Sequence, residues 1–259
     1  MIELRDITQH YGIQPVLKRV SLTIQAGELV VVVGPNGMGK STLLAVLGGM
    51  LAPQHGSVTI QGRRRRASAE EEWAIRRQTV YLPDQPWLPS LRTPREFLLS
   101  VGRLYGIADA RLFEHVERLL KLFELSAQSN QAIRGLSAGQ KKKVALSATL
   151  ITDAPILFLD EPFSGGLDPS GLLALKRLLR RRVTEQQATI VLTSPVPEIV
   201  EEIADRIVIL RNGEIAACDT LEGLRKSTGI GGSLGEILEQ MLYPETTRRL
   251  QEYFQESPL

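Results

Sequence analysis

The run Gly34-Pro35-Asn36-Gly37-Met38-Gly39-Lys40-Ser41-Thr42 fits the spacing G-x-x-x-x-G-K-[ST]. Glycines let the backbone wrap inward so that its N–H groups converge on phosphate oxygens, and a helix that follows adds its positive N-terminal end. In such a cradle Lys40 reaches the β- and γ-phosphates and Ser41 offers its hydroxyl to Mg²⁺. A pair of acids, Asp160-Glu161, ends the apolar run Ile156-Leu157-Phe158-Leu159. A strand buried on both faces presents its C-terminal end to the ligand crevice. There Asp160 can hold Mg²⁺, directly or through water, and Glu161 can orient and deprotonate an attacking water. Taken alone, the same acids read equally well as a cap for the next helix. Leu136-Ser137-Ala138-Gly139-Gln140 precedes an apolar helix containing Val144, Leu146 and Leu150. Ser137 is a good N-cap, and the small residues after it permit close backbone approach of an anion.

These groups need elements to hold them. Residues 29–33 form a continuous β-branched run, the pattern of a strand covered on both faces, and residues 40–50 read as a helix. Residues 2–7 and 20–24 alternate as strands, and 58–60 and 79–82 are short strand candidates. From Thr93 the pattern turns helical: 94–105, then 110–123 with Leu112, Val116, Leu119, Leu120 and Phe123 on one face, then 137–150. Residues 86–150 or so therefore read as a helical subdomain inserted into an α/β core. The core resumes with strand 156–159, helix 170–182, strand 189–192, helix 198–204 and strand 207–210, which ends at the Asn212-Gly213 turn. Alternating strands and helices imply a largely parallel sheet.

At 259 residues the chain suits one domain with an insertion. A net charge of +2 is too near neutral to hold nucleic acid through bulk charge, so no nucleic-acid partner is expected. The basic runs 63–66 and 180–182 are local; the first reads as a solvated loop or a membrane-proximal surface. One cysteine, Cys218, leaves no internal disulfide. No positively charged start followed by an apolar run opens the sequence, so no secretory signal is expected, and the longest nearly apolar stretch, 43–52, is far short of the roughly 18–20 residues that span a bilayer. If a membrane is involved, another polypeptide crosses it.

The run 136–140 resembles the L-S-G-G-Q signature of ABC ATPases, and the order of phosphate loop, helical insert, signature and carboxylate strand matches that family over residues 2 to about 221. The resemblance implies an α/β P-loop NTPase (RecA-like) core with a mostly parallel sheet, an N-terminal antiparallel β-subdomain and the helical insert. It places the ATPase domain at 1–220 and a short helical tail at 221–259. It makes ATP and Mg²⁺ the cofactors and matches Tyr11 to the aromatic that stacks on adenine. It also implies a composite site: Lys40, Ser41, Asp160 and Glu161 from one subunit, with Ser137 and Gly139, flanked by Ala138 and Gln140, from the other. Two ATP molecules then join a homodimer or heterodimer, and hydrolysis moves a separate integral membrane permease. The chain would sit in the cytoplasm, peripheral on the inner face of the membrane.

Three positions depart from the family pattern. Where a glutamine contacting Mg²⁺ is usual, this chain has Asp84 followed by Gln85; either can serve, and Asp84 is the better fit as metal ligand and water-orienting group. The loop Ser164-Gly165-Gly166-Leu167-Asp168 carries one glycine more than usual, which shifts Asp168. The switch histidine is replaced by Pro195, which has neither imidazole nor a backbone donor. His10, His55 and His115 fall in other motifs and read as surface residues. The expectation is a slow ATPase, or one site of an asymmetric pair. Segments 93–98, 103–106 and 233–238 resemble exporter-type subunits. The alternatives are a regulatory subunit that binds ATP and hydrolyses it weakly, and a non-transport ABC ATPase; a single cassette without a coiled-coil or basic insert argues against the latter.

Overall fold

In the computed structural model, residues 1–256 are described. Residues 257–259 of the tail lie outside the described residues. Apolar and polar residues alternate along β1 (Ile2–His10) and β2 (Pro15–Ile24), which pair antiparallel with Ile2 opposite Ile24 and Leu4 opposite Leu22. The next strand, β3 (Leu29–Val33), joins a different sheet. Strand β4 (His55–Ile60) runs antiparallel along the other edge of β1, and the two-residue β5 (Arg63–Arg64) completes a four-stranded sheet in the order β2-β1-β4-β5.

The second sheet contains β3, β6 (Thr79–Leu82), β7 (Ile156–Leu159), β8 (Thr189–Thr193), β9 (Arg206–Arg211) and β10 (Glu214–Asp219), in the order β10-β9-β3-β8-β7-β6. All its neighbours are parallel except β10, which turns back antiparallel at Asn212 and Gly213, with φ of +52° and +81°. Positive φ at both turn residues is what a two-residue hairpin needs, and Asn-Gly supplies it cheaply. The sequence-predicted class, α/β with a mostly parallel sheet and an N-terminal antiparallel sheet, is the observed one.

Strand β3 has no exposed face. Leu29, Val31 and Val33 point into one apolar cluster, and Val30 and Val32 into the other. Helix α1 (Lys40–Leu47) belongs to the second cluster, between the two sheets. The first cluster gathers α3 (Pro94–Leu104), α4 (Asp109–Leu122), α5 (Ala138–Leu150), α6 (Pro169–Gln186) and α7 (Pro197–Ile203). Leu112, Val116, Leu119, Leu120 and Phe123 are all buried, as their spacing predicts. In α5 every residue from 142 to 150 is buried, Lys142 and Lys143 included. The tail is helical: α8 (Leu221–Thr228), α9 (Leu234–Leu242) and α10 (Pro244–Glu256). It is not loosely appended, because Leu224, Leu234, Ile237 and Leu238 pack into the first cluster and Arg211 donates to the Met241 carbonyl at 3.0 Å. Among the described residues no helix is long and apolar enough to cross a membrane.

The first basic run is not a plain solvated loop. A helix, α2 (Ala69–Arg76), follows it and was not legible, because Ile75 is its only buried residue and three acids fill its first turn. Those acids serve the arginines. Glu71 accepts from the Arg64 N–H, Glu72 accepts from the Arg66 N–H, and Arg65, with its side chain 4% exposed, pairs with Glu72 at 2.8 Å. Arg182 of the second run is likewise buried, against Asp153 at 3.1 Å.

His115 on α4 is half-buried rather than a surface residue, and its Nδ1 has no hydrogen-bond partner. Burial pushes its imidazole below the ordinary 6.5; Asp153 opposes this, while Arg118, Arg111 and Arg182 reinforce it. A depressed folded value means that the unfolded chain takes up a proton the folded chain refuses. This contribution to stability is complete above about pH 6.5 and is lost as the pH falls through the folded value. Melting temperatures taken between pH 7.5 and 5 are expected to drop more steeply for the native chain than for His115→Gln; equal slopes would refute this.

Candidate functional site

The phosphate-type loop leaves β3 at Gly34, where φ is +153° and a Cβ would stand 2.2 Å from the Leu210 carbonyl oxygen of β9. Only glycine can pass there. The loop ends at Gly39, the N-cap of α1, with φ +97° and a Cβ position 2.8 Å from the Val16 carbonyl oxygen. Helices α2, α3, α5, α6, α8 and α9 each begin with a Ser, Thr or Asp side chain that accepts a first-turn N–H, whereas α1, like α4 and α7, has no side-chain cap. Its first-turn N–H groups have no intrahelical partner either. Asn36, Gly37 and Ser41 are exposed, Pro35 and Met38 are half-exposed, and Thr42 is buried. Lys40 is buried, and its ammonium donates to the carbonyls of Gly34 at 2.8 Å and Pro35 at 3.0 Å. Burial pushes its pKa down, while Glu161 and Asp160 pull it back up.

Strand β7 lies two places from β3 and delivers Asp160 and Glu161 at the same edge. Asp160 is 2% exposed, and its Oδ1 accepts from the Thr193 hydroxyl at 2.7 Å. That hydroxyl accepts in turn from the Glu161 N–H at 2.8 Å. Thr193 ends β8, the strand between β3 and β7, so one buried hydroxyl orients both acids. Thr193 lies just beyond the strand 189–192 expected from the sequence; its place as a polar residue closing the apolar run Ile190-Val191-Leu192 was the available signal. Glu161 sits at φ +44°, in the left-handed region that non-glycine residues seldom occupy. Its carbonyl accepts from the Ser164 N–H at 3.2 Å, the Ser164 hydroxyl at 2.9 Å and the Lys142 ammonium at 3.0 Å.

The signature-like run opens α5 with a reciprocal cap. The Ser137 hydroxyl accepts from the Gln140 N–H at 3.2 Å, and the Gln140 side chain accepts from the Ser137 N–H at 2.9 Å. Ala138 is exposed. Gly139 is required by contact within the chain, since its Cβ would fall 2.4 Å from the Gly166 carbonyl oxygen. Gly165 and Gly166, at φ +84° and +86°, turn the loop toward the start of α6. Asp168 is thereby placed as N-cap of α6, accepting from the Gly171 N–H at 2.8 Å, and it pairs with Lys143 at 2.8 Å. The Lys143 hydrogen bond is the largest cause of a depressed Asp168 pKa.

Asp84 and Gln85 are exposed just beyond β6 and line a cavity of about 580 Å³ with Leu88, Ile133 and Lys142. Pro195, exposed between β8 and α7, borders a cavity of about 340 Å³ with Gly34, Pro35 and Asn36 on one side and Leu238 and Glu239 of α9 on the other. No histidine lines that cavity. Tyr11 stands 65% exposed in the turn between β1 and β2. Lys40, Asp160 and Glu161 thus share one electrostatic neighbourhood, and Asp84 joins them through Lys142. Residues 137–140 pack on the loop 164–166 of their own chain; among the described residues no hydrogen bond ties them to residues 34–42.

Comparison with known proteins places these features in context. The family profile described as "ABC transporter" matches residues 17–164. The ABC-type transporter ATP-binding protein EcsA of Bacillus subtilis is 31% identical over 232 residues, 89% of this chain and 91% of that protein. The cobalt import ATP-binding protein CbiO of Salmonella typhimurium is 33% identical over 217 residues, 83% and 79% of the two chains. Among solved structures, a dimeric post-hydrolysis state of the ATP-binding cassette MJ0796 with ADP and Pi superimposes with a TM-score of 0.78 at 27% identity, covering 85% of this chain and 99% of that one.

Removing the Thr193 hydroxyl without changing its volume should expose its structural share. Thr193→Val leaves the partly buried Glu161 N–H and a buried Asp160 oxygen without this partner, at a cost of about 1–3 kcal/mol. Urea denaturation is expected to show that loss in a protein that still folds; a change under about 0.5 kcal/mol would contradict it.

Proposed function

This chain belongs to the ABC transporter family, whose cassettes bind and hydrolyse ATP, and from that membership we propose the division of labour that follows. The observation that carries the proposal is the uncapped, glycine-hinged N-terminus of α1 beside Lys40, with two acids just after strand β7, two places along the sheet from β3.

A triphosphate fits this cradle. The open N–H groups of α1 would receive its oxygens, and Lys40 would exchange the Gly34 and Pro35 carbonyls for the β- and γ-phosphates. Among the described residues no group of three or more His, Cys, Asp or Glu side chains could hold a metal alone. That suits an ion held chiefly by phosphates and water, with Ser41, Asp160 and Asp84 completing its shell. Mg²⁺ bound there would neutralise charge on the β- and γ-oxygens. Glu161 orients and deprotonates the attacking water, with Asp84 or Gln85 completing its placement. Tyr11 stacks on the base. Ser137, Ala138, Gly139 and Gln140 close the site of a second subunit, the same chain or a paralogue; Ser137 and Ala138 are exposed, as such a contact requires.

The partner is an integral membrane permease, with this chain peripheral on its cytoplasmic side and no nucleic acid involved. Residues 1–220 form the ATPase domain and 221–259 the tail. Export is the proposed direction, on the resemblance of segments 93–98, 103–106 and 233–238. A cobalt import protein is similar over most of the cassette as well, so the proposed direction rests on those segments alone. Pro195 at the mouth of the phosphate loop supports slow turnover, and with it the reading of one weak site in an asymmetric pair.

Lys40→Ala is expected to abolish detectable ATP binding and ATP-dependent pairing by light scattering; retention of both would sink the assignment. Pro195→His in the purified dimer is expected to raise turnover, by up to about 100-fold if the missing imidazole limits the rate. An unchanged rate would remove that explanation of slowness.

A further inference from the structure

We propose that Lys142, which lies beyond the signature run, is a positioning residue: its ammonium ties the main-chain carbonyls of Asp84 and Glu161 together so that both acids meet the nucleotide in one fixed arrangement. The inference rests on the assignment of those acids to hydrolysis given above.

Lys142 is a buried cation with its side chain 5% exposed. An ammonium has three donors and no acceptor, and burying it is costly unless those donors are used. Its Nζ donates to the Glu161 carbonyl at 3.0 Å and to the Asp84 carbonyl at 3.4 Å, and it stands 4.0 Å from the Asp84 carboxylate. Burial pushes its pKa down, while Asp84, Glu161 and Asp160 sustain its charge. The adjacent Lys143 makes an ordinary side-chain pair with Asp168. Lys142 differs because both of its direct acceptors are backbone, one just after β6 and one just after β7. It therefore fixes two chain segments relative to each other.

Two further features say what the tether is for. The Glu161 backbone is left-handed, a conformation that persists only where its surroundings impose it. Of the three groups donating to the Glu161 carbonyl, Lys142 is the only cation and the only one from another element; the other two both come from Ser164. Releasing it leaves that carbonyl to Ser164 alone, whose hydroxyl also donates to the Glu161 carboxylate at 3.0 Å, and removes the tie between the Glu161 and Asp84 segments. At the other end, the half-exposed Asp84 carboxylate stands 4.0 Å from the buried ammonium, so the tether carries charge complementarity as well as a backbone contact. The stem of Lys142 is covered by the loop, since a Cβ on Gly165 would lie 3.6 Å from its Cδ.

Trp73 and Trp87 are the two tryptophans of the chain, and Trp87 stands three residues beyond Asp84, 81% exposed. In a Trp73→Phe background, fluorescence anisotropy of Trp87 reports the 84–88 segment without any nucleotide. Lys142→Met is expected to lower that anisotropy and to reduce kcat by roughly tenfold or more, with KM for MgATP within about threefold. Lys142→Arg, which can still donate to both carbonyls, should restore most of both signals. Lys141→Met on the same helix should change neither. If Lys142→Met loses its cooperative melt, Lys142→Gln, shorter and uncharged, carries the same expectations. Unaltered Trp87 anisotropy, or kcat and KM deteriorating together with a lowered melting temperature, would overturn the proposal. Those outcomes leave ATP binding by the cradle intact, whereas nucleotide affinity surviving Lys40→Ala would overturn the functional reading whatever Trp87 reports.

Discussion

The chain must leave a strand that is buried on both faces and become, within six residues, the start of a helix. Most of the site follows from that constraint. Strand β3 is sealed between two apolar clusters, so the loop after it cannot drift. At Gly34 the backbone passes under the Leu210 carbonyl, and at Gly39 it passes beside the Val16 carbonyl, both at distances that forbid a side chain. Packing on β3 thereby becomes a fixed set of backbone N–H groups. Burying each Val or Leu contributes about 1.5–3 kcal/mol, and the same burial holds still a helix N-terminus that carries no side-chain cap.

The polar half of the site is fixed differently. Asp160 is inside the protein, where a carboxylate is tolerated only with partners, and Thr193 of the intervening strand is its nearest one. The same hydroxyl holds the Glu161 N–H while Ser164 and Lys142 hold its carbonyl, so a peptide in an uncommon conformation is gripped at both ends. The acids are thus placed by neighbours from β8 and α5 more than by their own strand. Helix α5 can do this because it has no solvent face over residues 142–150. Lys142 and Lys143, the two lysines that open this stretch, are inside the molecule.

The tail adds a boundary. Leu234, Ile237 and Leu238 bury α9 in the main core, and its outer residues border the cavity at Pro195 and Asn36. The wall beside the phosphate loop is therefore partly built from residues some 200 positions downstream of it.

Local chemistry written in contiguous residues was legible from the sequence. The glycine spacing, the five-residue strand buried on both faces, the Asp-Glu end of β7, the helical face of α4 and the Asn-Gly hairpin all obey short-range rules. What distant segments bring together was not legible. Arg65 read as solvated because Glu72, its partner, lies across a turn into a helix with one buried residue. His115 read as a surface group because Asp153 and Arg182 reach it from other elements. Thr193 and Lys142 carry no motif, and their importance comes from ending up between two strands and beneath a loop. Covalent neighbours and periodicity decide which elements form; only the packing of those elements decides which polar groups lose water and must find each other.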